Sequence, residues 1–175
     1  ALVGVSLGGN LVLKLLGELG SAAPTWLLSG AVISPLADLT RSWPLMERRS
    51  NWVYQRYYVR RLKKLMIAAP GIEDSPIDLG RLASLKTVRQ FDDVVTAPLG
   101  GYADAFTYYR AAGAAPLLPR IALPTLILHA VDDPFLPSAP LEPARENSSI
   151  HLELTHHGGH VAYIEDRCRP PDFDR

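Results

Sequence analysis

The chain has 175 residues, 47% of them apolar, which is enough for one sizeable buried core and excludes a disordered chain. Eighteen basic and 18 acidic side chains cancel, so no overall charge bias points to nucleic acid or to acidic partners. One cysteine, Cys168, excludes an internal disulfide framework and fits a reducing, cytoplasmic setting.

ALVGV at residues 1–5 is a short apolar run of the length of a buried parallel strand. From Gly8 to Leu19 the pattern turns helical. Leu11, Leu15 and Leu19 recur every fourth residue, Val12 and Leu16 widen that face, and Gly20 is placed to cap the end. LLSGAVI at 27–33 reads as a second strand, closed by Ser34 and Pro35. Residues 37–120 hold no convincing strand and form a helical insertion. Within it Ser50 is the expected N-cap of a helix from Asn51 to about Met66, with Val59, Leu62 and Met66 on one face. Arg48, Arg49, Arg56, Arg60, Arg61, Lys63 and Lys64 make this stretch basic. The ordinary reading is a solvated helix face, and the alternative is a site for an anion or a lipid headgroup. Further helices are expected over 79–95 and 102–112. PTLILHA at 124–130 is a third strand, a Pro-rich segment at 138–146 closes into a short helix, and SIHLELT at 149–155 alternates as a fourth strand. The order β-α-β, helical insertion, β-α-β indicates an α/β protein with a parallel sheet. No apolar run approaches the roughly 20 residues of a membrane-spanning helix.

GVSLGGN at residues 4–10 contains G-x-S-x-G between the first strand and the first helix. Chance supplies this pentapeptide in about one chain in twenty, so its place at a strand–helix junction matters more than its letters. Such an elbow strains the serine backbone, and Gly4 and Gly8, without Cβ atoms, are expected to relieve the crowding. Ser6 is then the candidate nucleophile, and the Leu7 N–H, at the helix start, the candidate oxyanion donor. A serine hydroxyl needs a base, and the base needs an orienting acid. Asp132 and Asp133 follow the third strand, and His160 follows the fourth in a Gly-rich loop. Asp133 is preferred because it lies deeper in the turn and precedes Pro134, leaving Asp132 to cap the turn. His156, His157 and His160 also form H-H-x-x-H, but Gly158 and Gly159 oppose the helix that a zinc motif of this kind needs, so no metal and no cofactor are expected.

GVSLGGN, VYQRYY, RQFDDVVTAPLGGYADAFTYYR, PTLILHAVDDPF and HHGGHVAYIE together resemble the YheT-like branch of the α/β-hydrolase superfamily, esterases related to eukaryotic α/β-hydrolase-domain lipases. The match runs from residue 1 to about residue 165. The resemblance implies a Ser6–Asp133–His160 triad and hydrolysis of short- or medium-chain carboxylic esters or lipid-like esters. It implies a lid built from 37–120 as an insertion within one hydrolase domain, with Trp43, Trp52, Tyr54, Tyr57, Tyr58, Tyr108 and Tyr109 available to line an acyl pocket. Asp92 and Asp93 match the family without an evident chemical role, and capping or lid anchoring is expected of them. Members of this family carry strands ahead of the elbow and a final helix after the histidine loop. In their place this chain starts at the elbow strand and ends in RCRPPDFDR. It is therefore expected to be the C-terminal half of the fold, lacking the loop that supplies a second oxyanion donor and, in isolation, poorly soluble or inactive. Two other outcomes stay open: an acyltransferase or thioesterase using the same triad, and a non-catalytic remnant of the fold.

Overall fold

A computed structural model describes residues 1–75 and 77–163. The tail with Cys168 and its two prolines lies outside the described residues. Four parallel strands, β1 (Leu2–Val5), β2 (Gly30–Ile33), β3 (Thr125–Ala130) and β4 (Ile150–Thr155), form one sheet in the order β1-β2-β3-β4. Strand order follows chain order, so each connection is a crossover on the way to the next parallel neighbour.

The register explains which residues are buried. Gly4, Val32, Ile127 and Leu152 lie in one row across the sheet. The first three are buried against α1 (Leu7–Leu19) and the 3₁₀ segments that pack beside it. Leu13, Leu16, Leu118, Ile127, Leu141 and Ala144 close this core. The alternate row, Val3, Ala31, Leu126 and His151, points to the other face, where Val3 is 70% and Leu126 43% exposed. This is the period-2 alternation of strands covered more fully on one side than on the other. Asn10, in the first turns of α1, is buried and bridges the core to the insertion. Its amide donates to the Ala112 carbonyl at 2.8 Å and its oxygen accepts from the Ala114 N–H at 2.9 Å.

Between β2 and β3 the chain is helical: α2 (Leu39–Met46), α3 (Trp52–Ile67), α4 (Leu79–Leu82), α5 (Val88–Phe91), α6 (Ala97–Leu99) and α7 (Ala105–Ala112). Two expectations about this insertion need correction. The helix predicted over 79–95 is broken: Thr87 forms a capping box with Gln90 and starts a new helix, and residues 92–96 widen into a π turn. Ser50 is not the N-cap of α3. It lies inside a 3₁₀ turn at 49–51, and Asn51 takes the cap position. The Asn51 side chain does not close the helix end either; it donates to the carbonyls of Leu45 and Pro134, 2.9 and 3.0 Å away, and ties α3 to the loop after β3. The short helix expected over 138–146 is present as a 3₁₀ helix, Ala139–Glu146, because Pro140 and Pro143 cannot donate to an α-helical ladder. The second strand is also shorter than the apolar run 27–33, although Leu27 is buried in the core all the same.

Candidate active site

The carboxyl ends of parallel strands share one edge of the sheet, and in such sheets that edge is where ligands bind. Ser6 ends β1, the Asp132–Asp133 turn follows β3, and the loop 156–160 follows β4. Backbone bonds fix these exits. The Ser6 N–H donates to the Ile33 carbonyl and the Val131 N–H to the Thr155 carbonyl, each at 2.9 Å.

Ser6 sits at φ 54°, a left-handed conformation costing about 1–3 kcal/mol in a residue with a Cβ. Its carbonyl accepts from the N–H groups of Asn10 and Leu36, both at 3.1 Å, which holds the bend from both sides. The turn brings the α1 backbone against β1. A Cβ on Gly4 would lie 2.4 Å from the Gly8 oxygen, so only glycine fits. Gly8 was expected to relieve the same crowding and does not: a Cβ there would meet no atom within 4 Å. The Leu7 N–H lies at the first position of α1, one of the donors that the helix itself cannot satisfy.

His160 joins the other two candidates. Its Nε2 is 2.9 Å from the Ser6 Oγ and its Nδ1 2.8 Å from the Asp133 Oδ2. The Asp133 side chain is fully buried and that of His160 is 14% exposed. The other Asp133 oxygen accepts the N–H groups of Phe135 and Leu136 at 2.8 and 3.1 Å, so the carboxylate faces three partners. Asp132 points elsewhere. Its Oδ1 accepts the Gly159 N–H at 2.8 Å, and Gly159, at φ 54°, makes the turn that delivers His160. Each of the two aspartates therefore has its own task, the outer shaping the histidine loop and the inner bonding the imidazole. Both nitrogens of His160 are already engaged, and among the described residues no group of three potential ligands surrounds a common point.

A cavity of about 440 Å³ opens beside Ser6 and His160. Leu36, Leu39, Met46, Leu62, Phe135 and Leu136 supply apolar walls. Of the seven aromatic candidates, Trp43, Tyr58, Tyr108 and Tyr109 line it; Trp52, Tyr54 and Tyr57 do not and are about half exposed. Phe135 supports the site from behind, meeting the His160 ring edge-on at 5.3 Å and Tyr54 at 5.0 Å. The FDD aspartates anchor the insertion. Asp92 accepts the hydroxyls of Tyr109 and Thr96 at 2.6 and 2.7 Å, and Asp93 accepts the Ala105 N–H that opens α7 while pairing with Arg89. Burial pushes the Asp92 carboxyl upward, against the Tyr109 and Thr96 hydrogen bonds that hold it down.

Sequence reading missed several supports. Ser34 ends β2 much as Ser6 ends β1, is fully buried at φ 44°, and shares a 2.9 Å hydrogen bond with the Tyr163 hydroxyl. His129 is buried in β3, and that burial pushes its imidazole downward against the attraction of the Asp133 charge. Neither residue carries a local motif. The Pro after Ser34 and the apolar setting of His129 were the only signals in the sequence.

Residues 1–167 match the family described as alpha/beta hydrolase fold. The chain belongs to the α/β-hydrolase family. Within that family the branch read from the motifs agrees with its relatives. "Putative esterase YheT" of Escherichia coli is 42% identical over 170 residues, covering 94% of this chain and 48% of that protein. Human "Phospholipase ABHD3" is 33% identical over 165 residues, covering 93% of this chain and 40% of that protein. This α/β-hydrolase chain thus spans about half or less of the length of these relatives. Among solved structures, a puromycin-hydrolyzing peptidase of Mycobacterium tuberculosis superposes with a TM-score of 0.51 at 14% identity, over 91% of this chain and 18% of that one, a likeness of fold alone. Among the described residues, no helix of this α/β-hydrolase chain is long and apolar enough to cross a membrane.

Proposed function

We propose that the protein carrying this chain is a serine hydrolase of carboxylic esters, with Ser6 as nucleophile, His160 as general base and acid, and Asp133 as the orienting carboxylate. The observation that carries this reading is the hydrogen-bonded line Asp133–His160–Ser6, ending on a strained serine at the wall of an apolar cavity. The relatives named as esterase and phospholipase support the same class of chemistry.

The geometry explains each step. Asp133 accepts from the imidazole Nδ1–H, which leaves the Nε2 lone pair facing the Ser6 hydroxyl. Nε2 takes the hydroxyl proton as Oγ attacks the acyl carbonyl, and the buried Asp133 charge stabilises the imidazolium. The carbonyl oxygen becomes an oxyanion, for which the Leu7 N–H and the positive end of α1 are placed. The tetrahedral species collapses as His160 returns its proton to the leaving alcohol. Water then enters, gives a proton to Nε2 and attacks the acyl-enzyme, and Ser6 is restored by the reverse transfer. No metal ion or cofactor takes part in this scheme.

The acyl chain is assigned to the 440 Å³ cavity, whose walls are largely Leu, Met and aromatic side chains. A volume of this order suits a small acyl group. Burying each additional methylene is worth about 0.8 kcal/mol, or about fourfold in kcat/KM, until the cavity is full. A p-nitrophenyl ester series of increasing acyl length should therefore rise through short chains, peak at short to medium length and fall beyond it. Ser6→Ala should remove the whole profile. A profile flat with chain length, or one surviving in Ser6→Ala, would contradict the assignment.

A further inference from the structure

Seven of the 18 Lys and Arg side chains fall within residues 48–72, a stretch with no acidic residue, between Glu47 and Glu73. The remaining eleven stand against all 18 acidic side chains. The zero net charge of the chain thus hides a strong separation, with the positive end concentrated on and before α3.

α3 turns one face inward. Gln55 and Val59 are buried, and Leu62 and Met66 pack on the core of the insertion. The opposite face carries Val53, Tyr57, Arg60, Lys64 and Ile67, spaced at alternating steps of four and three as one helical stripe requires. Arg56 and Arg61 flank it. The apolar members are not covered: Val53 is 55%, Tyr57 57% and Ile67 69% exposed. Tyr57 and its basic neighbours Arg60, Arg61, Lys63 and Lys64 enclose a shallow hollow, and Arg61 lies 6.0 Å above the Tyr57 ring. Among the described residues, no ion pair occupies a basic side chain of α3. The same helix contributes Tyr58 and Leu62 to the cavity that holds Ser6 and His160.

We infer that the outer face of α3 docks on an anionic lipid surface, the cations meeting headgroup phosphates and Val53, Tyr57 and Ile67 entering the boundary with the acyl chains. Binding of a surface helix to a membrane interface grows with the apolar area it buries and with the attraction of its cations to anionic lipids, and this stripe offers both. A nucleic acid would engage the cations equally but gives no use for exposed Ile67 and Val53. The acidic remainder of the molecule is repelled from such a surface, so the charge separation orients α3 towards it. The inference does not require Ser6 to be a nucleophile, because binding is measured without turnover.

The test is co-sedimentation of the folded protein with vesicles of phosphatidylcholine alone and of phosphatidylcholine mixed with phosphatidylglycerol. Binding is expected only with the anionic vesicles, weakening as salt is raised. The combined variant Arg56→Gln, Arg60→Gln, Arg61→Gln, Lys64→Gln should lose about fivefold in partitioning per charge removed. The pair Tyr57→Ser, Ile67→Ser should also bind more weakly, with the salt dependence unchanged. These side chains point to solvent, and circular dichroism melting should match the parent; Ser6→Ala should bind as the parent does. Equal binding to neutral vesicles, no binding to anionic ones by the folded protein, or undiminished binding by the four-charge variant would overturn the inference. Displacement by glycerol phosphate would reassign the hollow to a soluble anion. Displacement by single-stranded RNA, with the Tyr57/Ile67 pair binding normally, would reassign the face to nucleic acid. Either result also overturns the inference.

Discussion

Asp133→Asn should lower ester turnover about 10⁴-fold while leaving the fold in place, the size of effect that this exchange produces in a serine protease triad. The reason lies in the three donors around the side chain. One carboxylate oxygen accepts the Phe135 and Leu136 N–H groups and the other accepts from His160. An amide keeps an oxygen for only one of these places. If it stays with the two backbone donors, its NH₂ faces His160 Nδ1. The imidazole must then carry its proton on Nε2, 2.9 Å from the Ser6 Oγ, and has no lone pair there to act as base. Asp132→Asn is the control. Its side chain can still accept the Gly159 N–H, so the loss should stay within about tenfold. Steady-state kcat/KM on one p-nitrophenyl ester distinguishes the two. A larger loss at Asp132 than at Asp133 would reassign the acid.

Gly4→Ala should damage stability and activity together. The new Cβ would stand 2.4 Å from the Gly8 oxygen, 2.6 Å from its carbon and 2.8 Å from the Gly9 nitrogen. All three are backbone atoms in the first turn of α1, so no side chain can rotate away. Relief requires moving the helix start relative to β1. Overpacking of this kind costs about 1–3 kcal/mol. The same displacement shifts Ser6 and the Leu7 N–H, and a shift of about 1 Å in reacting groups lowers rates on the order of a hundredfold. Gly8→Ala should do the opposite to stability. Its Cβ meets open space, and alanine in a helix is favoured over glycine by about 0.5–1 kcal/mol. Guanidinium unfolding of both variants gives the comparison. Equal destabilisation would mean that the elbow crowds around both glycines.

The legibility of this chain follows the range of the interactions involved. The four strands, the parallel sheet and α1 are written in local apolar patterns, and the structure returns them within a few residues. The convergence of the candidates Ser6, Asp133 and His160 was legible because each follows a strand, and parallel strands deliver their ends to one edge. The insertion was less legible. The break before Thr87 depends on a capping box competing with helix continuation, and the position of Asn51 depends on two carbonyls, one of them 83 residues away. Ser34 and Asn10 work through long-range bonds to Tyr163, Ala112 and Ala114, which no local window contains. The different duties of Gly4 and Gly8 likewise appear only once β1 and α1 are placed against each other.

Labelling of the folded protein with a fluorophosphonate probe, followed by peptide mapping, tests the central claim most directly. The account predicts a single adduct on Ser6, absent in Ser6→Ala and formed far more slowly in Asp133→Asn. A folded protein that takes up no probe, or that carries the adduct on another serine such as Ser34, would contradict it.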